Sequence, residues 1–290
     1  MIDFDYAAPT ALDDAVRMLA EHGDRAKPLA GGTDIIVQLR ERLREADFVV
    51  DVKRIPELME LEYSPETGLR LGASVPCYRI YGDETIAAAY PALADSTHII
   101  GGWQIQSRAS VGGNLCNASP AADSIPALIA HQATAHIAGP DGRRAMSVDE
   151  FCVSPGRNAL ETGELLVALT LPPAMHRSSS AYQRFIPRYE MDIAVAGAAS
   201  WVQLDESGEN IKQARIALAA VAPTPKFAEE ASQWLSGKLA TEHTFAEAGE
   251  LAKKVASPIS DMRGTAEYRT HLVGVLTKRT LAKAVERARV

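Results

Sequence analysis

Three features of the sequence predict an α+β chain in three units. Helix-spaced and strand-like apolar runs alternate up to Leu171. The Pro172-Pro173 pair, followed by Arg177-Ser178-Ser179-Ser180, then reads as a linker. Beyond it, two long strand-like runs give way to helical period up to the C-terminus. The length of 290 residues fits more than one packed unit, because single cores stop growing at roughly 250–300 residues.

The elements follow in order. Leu12, Ala15, Val16 and Leu19 recur at helical spacing, so Ala11 to Glu21 predicts a helix, with Thr10 as its cap and Gly23 as its stop. Pro28-Leu29-Ala30 leads into Gly31-Gly32-Thr33-Asp34. Ile35 to Arg42 fits a turn of helix or a strand, and periodicity leaves both open. Phe48 to Val52 is β-branched and predicts a strand. Lys53 to Pro56 reads as a linker to a second unit. That unit opens on a strand at Leu69 to Ala73 and continues with a helix from Tyr78 to Ala89. Gln104 to Asn117 is polar and glycine-rich. Pro126 to Gln132 predicts a buried helix. Thr134 to Ala138 and Leu165 to Leu171 predict strands around the hairpin signal Pro140-Asp141-Gly142. Ile193 to Leu204 and Ile211 to Val221 predict an antiparallel hairpin across Asp205-Glu206-Ser207-Gly208. Helical period runs from Ala228, ending in a helix from about Glu267 to Arg289. No internal repeat is visible.

Composition narrows the function classes. Hydrophobic residues at 47% and charged residues at 23% exclude a disordered chain. The net charge of −7, with no basic block, argues against a general nucleic-acid binder. Cys77, Cys116 and Cys152 lie far apart, without a CxxC, so a disulfide framework or an iron–sulfur cluster on this chain is not expected. The seven histidines show no metal-ligand spacing except His131 and His136, which fall in different predicted elements. MIDFDYAAPT has neither a basic nor an apolar leader region. No apolar run approaches the ~18 residues of a membrane span. A cytoplasmic enzyme or enzyme subunit is the expectation.

Two loops carry the informative chemistry: Ala30-Gly31-Gly32-Thr33-Asp34, and Ser110-Val111-Gly112-Gly113-Asn114-Leu115-Cys116-Asn117-Ala118-Ser119-Pro120. Each sets paired glycines before small hydrogen-bonding side chains. Glycine turns with positive φ and leaves no Cβ in the way, so successive N–H groups can cup an anion. Neither loop has the lysine of a P-loop or the GxGxxG pattern, and neither sits in an evident βαβ unit, so ATP hydrolysis and a Rossmann site are disfavoured. Two uncharged cups suit a pyrophosphate held between two subdomains; the alternative for each is an ordinary turn. Asp123, after the second loop, would repel a pyrophosphate. It therefore points at a sugar hydroxyl or caps the helix that follows.

Four stretches, AGGTDIIVQLR, VVDVKRIPEL, IQSRASVGGNLCNASPAADSIPALIA and RYEMDIAVAGAA, together resemble the FAD-binding medium subunit of molybdenum hydroxylases. That family includes the flavin subunits of carbon monoxide and xanthine dehydrogenases. The likeness runs from Phe4 to the C-terminal helix. It implies a two-subdomain FAD-binding fold of the vanillyl-alcohol-oxidase (PCMH) type over residues 1–175, split as 1–55 and 56–175. A C-terminal α+β domain with a small antiparallel sheet over 176–290 would follow. By resemblance, Leu29, Ala30, Gly31, Gly32, Thr33, Asp34 and Ile35 wrap the FAD pyrophosphate. Ala109, Ser110, Gly112, Gly113, Asn114, Asn117 and Ser119 cover the other side. Asp123 bonds a ribose or ribityl hydroxyl. Leu165 and Leu166 pack on the adenine or the ring system, and Ile100 and Gly101 line the isoalloxazine. Arg184 falls where many members have a lysine near the flavin; its alternative is a surface salt bridge with Glu190 or Asp192.

The resemblance also implies a function. The chain would be an electron-transfer subunit with non-covalent FAD, in an (αβγ)2 assembly. A large partner would carry the molybdopterin and a small partner two [2Fe-2S] clusters, and an external acceptor would take the electrons. Departures from the family pattern inform this. The extra clustered cysteines of hydroxybenzoyl-CoA reductases are missing. Thr33-Asp34 replaces the His-Ser usual in carbon monoxide dehydrogenases, so carbon monoxide is not the leading substrate. Cys116 suits a small buried hydrophobe better than a flavin attachment point. Two alternatives stand beside this reading: a self-contained FAD-dependent reductase of the UDP-N-acetylenolpyruvylglucosamine type, and a flavin-free assembly module.

Overall fold

The computed structural model describes residues 3–290. Its first sheet is parallel, in the order β1–β3–β2, from β1 (Asp5–Ala7), β2 (Ala26–Leu29) and β3 (Phe48–Asp51). Helix α1 (Leu12–His22) lays Leu12, Ala15, Val16 and Leu19 onto it, as their spacing predicts. Its N-cap is Ala11, which makes no side-chain cap bond, so Thr10 does not cap it. Helix α2 (Ile35–Arg40) settles the open choice at Ile35 in favour of helix. The first glycine loop thus lies between β2 and α2, and β3 returns parallel to β2. This is a βαβ unit after all. It was hidden because β2 is four residues long and contains Pro28.

The second sheet is antiparallel, in the order β4–β5–β10–β6–β7. It is built from β4 (Leu61–Ser64), β5 (Gly68–Gly72), β6 (Thr134–Gly139), β7 (Gly142–Ser147) and β10 (Leu165–Leu171). The turn after β6 leads into β7, not into β10; β10 pairs with β6 on its other edge. Between β5 and β6 come α3 (Cys77–Tyr81), α4 (Glu84–Ala89), α5 (Pro91–Thr97), α6 (Trp103–Gln106), α7 (Val111–Asn117) and α8 (Ser124–Ala130). The single helix expected at Tyr78 to Ala89 is split, because Asp83 starts a new one by accepting from the amides of Thr85 and Ile86. After β7 come α9 (Val148–Phe151) and a short ribbon of β8 (Cys152–Ser154) and β9 (Arg157–Asn158).

The third sheet is antiparallel, in the order β11–β12–β13–β14, from β11 (Ser178–Phe185), β12 (Ala196–Leu204), β13 (Ile211–Ala219) and β14 (Lys226–Phe227). The predicted hairpin is β12–β13. The serine run read as linker is the start of β11, with Ser179 and Ser180 buried. Helices α10 (Glu229–Trp234), α11 (Glu242–Ala252) and α12 (Ala266–Ala288) follow. All of β12 is buried because α12 covers the sheet on one side, while α5 and α8 pack from the other through Ala92, Ala127, Ala130, Tyr182, Ala199 and Trp201. A strand covered on both faces reads as a continuous apolar run, as this one does. None of the described helices is long and apolar enough to cross a membrane.

Candidate functional site

A cleft of about 580 Å³ lies between the first and second sheets, and both glycine segments line it. One wall is the β2–α2 loop: Ala30, Gly31, Gly32, Thr33, Asp34 and Ile35. Among the described residues, no acceptor is found for the amide N–H groups of Gly31, Gly32, Thr33 or Asp34. Gly32 has φ +80°, a conformation that an L side chain resists. The loop is held from behind. Lys53 Nζ donates to the Ala30 carbonyl at 2.9 Å and to Asp51 Oδ1 at 2.7 Å. Arg108 Nε donates to the Gly31 carbonyl at 3.1 Å.

The facing wall is not a second loop. Residues Val111 to Asn117 form α7, whose N-cap Ser110 accepts from the Gly113 amide at 3.0 Å. Ala109, Ser110, Gly112, Gly113 and Asn114 line the cleft from here. The two glycines differ in use. A Cβ on Gly112 would stand 2.4 Å from the Ala73 carbonyl oxygen, so Gly112 lets α7 sit against the end of β5. A Cβ on Gly113 would meet only Ser110 Oγ, at 3.0 Å. Asn114 Oδ1 accepts from Ser124 Oγ at 2.6 Å, which leaves the Asn114 amide NH2 to donate elsewhere. Asn117 Oδ1 accepts from Gln38 Nε2 at 3.0 Å and so ties α7 to α2.

Ser119 and Asp123 also line the cleft, as do Ile100 and Gly101, and Leu165 and Leu166 contribute apolar surface from β10. Asp123 does not cap α8 with its side chain. Its Oδ1 accepts from the Tyr182 hydroxyl at 2.7 Å, and its Oδ2 accepts from Arg184 Nη1. Burial pushes its carboxyl up to about 6, against the pull of Arg184. Two expected residues stand off the cleft wall. Leu29 packs behind the loop, in the cluster of Leu39, Ala46 and Val49. Arg184 sits behind Asp123 with a side chain 7% exposed, and it pairs with neither Glu190 nor Asp192. Cys116 also borders the cleft; burial holds its thiol up at about 12, in the unreactive protonated form. Lys27, Gln38, Arg44 and the Glu161–Glu164 turn line the cleft without any sequence signal, since they come from scattered positions outside a motif.

The arrangement can hold a long, partly anionic molecule. Unpaired amides offer donors from the β2–α2 loop, an amide NH2 and hydroxyls come from the α7 side, and apolar side chains complete the lining. Residues 2–174 match the family model described as the FAD binding domain in molybdopterin dehydrogenase, and residues 180–284 match the CO dehydrogenase flavoprotein C-terminal domain. The chain belongs to the FAD-binding subunits of the molybdopterin dehydrogenases. This flavin subunit is similar to the carbon monoxide dehydrogenase medium chain of Afipia carboxidovorans, at 34% identity over 99% of this chain and 98% of the relative. It is similar to the xanthine dehydrogenase FAD-binding subunit of Escherichia coli O157:H7, at 32% identity over 99% and 98%. Among solved structures it is similar to quinoline 2-oxidoreductase from Pseudomonas putida 86, with a TM-score of 0.91 and 30% identity over 100% and 99% of the two chains. The fold is therefore the expected α+β flavoprotein fold, and the chain is an oxidoreductase subunit whose cofactor is FAD. Its cleft fits that cofactor: the orphaned amides of Gly31 to Asp34 suit a pyrophosphate, and Asp123 enters the lining beside Ser124, which is bonded to Asn114 of α7.

Proposed function

We propose that this chain is the electron-transfer subunit of a three-subunit molybdenum hydroxylase in the cytoplasm, one copy of each trimer in an (αβγ)2 assembly. A large partner holds the molybdopterin and hydroxylates the substrate. A small partner holds two [2Fe-2S] clusters, and an external acceptor takes the electrons that leave. FAD, bound without a covalent link, supplies the redox chemistry. The residues of this chain bind and orient it. Gly31, Gly32, Thr33 and Asp34 offer backbone donors to its pyrophosphate. Ser110 and Asn114 face them with side-chain donors, and Asp123 accepts from a hydroxyl. Leu165, Leu166, Ile100 and Gly101 supply the apolar and flat surfaces for its rings. On this reading residues 1–175, as 1–55 and 56–175, form the FAD-binding domain, and residues 176–290 the C-terminal domain.

The observation that carries the proposal is the pair of facing walls, one with free amides and the other with hydroxyl and amide side chains. The test is transfer between subunits. With FAD bound to this chain, a purified pair of the large and small partners, given their substrate, should bleach the flavin absorption. Persistence of the oxidised spectrum in a loaded, assembled complex would overturn the assignment.

A further inference from the structure

The groups that hold Asp123 come from outside the cleft. Tyr182 and Arg184 are two positions apart on β11, hence on one face of that strand. Neither lines the cleft, whereas Asp123 does. The Tyr182 hydroxyl donates to one Asp123 oxygen at 2.7 Å and Arg184 Nη1 donates to the other. Arg184 Nη2 donates to the Ile99 carbonyl at 2.9 Å, immediately before Ile100 and Gly101. One guanidinium thus ties together two segments of the cleft lining that are far apart in sequence. A fourth bond, from the Ala220 amide just past β13 to the Pro120 carbonyl at 2.6 Å, fixes the turn between them.

Asp123 is 7% exposed. A buried carboxyl tends to keep its proton, and Arg184 opposes that tendency. Among the described residues, Arg184 and Tyr182 are the charged and titratable groups that bear on it. An ionised carboxylate that accepts one bond at each oxygen still has a lone pair at each for a further donor.

We propose that Arg184, with Tyr182, is a positioning residue for the cofactor: it keeps Asp123 aimed into the cleft as an acceptor for a hydroxyl of bound FAD, and it fixes Ile100 and Gly101 beside it. The C-terminal unit is thereby part of the FAD site without lining the cleft itself. This rests on the reading that FAD occupies the cleft.

The test is the pH dependence of FAD affinity, read by flavin fluorescence on the full chain stripped of flavin. In the wild type, affinity falls as the pH drops and Asp123 takes up a proton. In Arg184→Gln the midpoint of that fall moves to higher pH by about 1–3 units, since the opposing charge is gone. Arg184→Lys moves it back towards the wild type, because the charge returns although the fork does not. Tyr182→Phe shifts it upward by less, and carries the test together with Arg184→Lys if Arg184→Gln does not fold. The double variant Arg184→Gln/Asp123→Asn loses this titration. Profiles of the Arg184 and Tyr182 variants that overlay the wild type, with only a uniform loss of affinity, would overturn the proposal and leave the FAD reading intact. A folded wild-type chain that takes up no FAD would overturn both.

Discussion

Gly31 has no room for a side chain, since a Cβ there would stand 2.1 Å from the Arg108 carbonyl oxygen. This is a backbone-to-backbone approach between the two walls of the cleft. Gly113 by contrast has free space beyond Ser110 Oγ. The two positions should therefore separate folding from binding. Gly31→Ala is expected to cost about 1–3 kcal/mol of stability through overpacking, and FAD binding with it. Gly113→Val is expected to keep the melting temperature within a few degrees while lowering FAD affinity by about tenfold or more, equivalent to ~1.4 kcal/mol. Thermal melting beside flavin titration checks both. A second residue-scale consequence concerns His131. Its Nε2 lies 2.9 Å from Ser180 Oγ, which also accepts from the Ala92 amide. Burial, helped by Arg215, pushes the imidazole down to about 3. The unfolded chain has an ordinary histidine near 6.5. The stability that goes with the neutral ring is therefore present above about pH 6.5, and is lost as the pH falls from there towards 3. Denaturant melts of wild type and His131→Gln should diverge in slope across that window, the variant being less acid-sensitive; parallel curves would contradict it. The paired glycines stand out in the sequence as motifs, whereas Asp123 has two open local roles there and takes its hydroxyl role only from the family resemblance. The partners that fix them, Lys53, Arg108, Tyr182 and Arg184, were not legible as such, because they are distant in the chain and meet only in the fold.

At the scale of elements, α7 shows how a site can hide a helix. Val111-Gly112-Gly113-Asn114 is a poor helix sequence, each glycine costing roughly 1 kcal/mol against alanine. The cap at Ser110 and the burial of Val111 and Leu115 hold it in place. Ser110→Ala is expected to destabilise the chain by about 1 kcal/mol through loss of the cap, and to loosen the wall that carries Gly113 and Asn114. Hydrogen exchange at the α7 amides, faster in the variant, would show it. Helices α1 and α12 are legible from spacing, while α8, β12 and β13 are legible from their buried apolar runs. The missed strands have three reasons: β1, β2, β4, β8, β9 and β14 are four residues or shorter; β7 is an edge strand exposed along most of its length, with arginines in place of alternating apolar residues; and β11, though eight residues long, opens on three serines soon after Pro172-Pro173 and so reads as linker.

Over the whole molecule, the cleft depends on all three sheets. The first supplies the amide-bearing loop, the second unit supplies α7 and the apolar lining of Leu165 and Leu166, and the third holds Asp123 through Tyr182 and Arg184. The division near Pro172-Pro173 marks a change of sheet, yet the third sheet packs directly against α5 and α8 of the second unit. Sequence shows where units change; it does not show that they share one site. The central claim is that this cleft carries FAD. The most direct measurement is the visible absorption spectrum of the purified chain, taken before and after heat release of any bound ligand. The account predicts flavin bands in the native protein and free FAD in the supernatant once the protein is denatured. A colourless, folded chain that also fails to take up added FAD would contradict it.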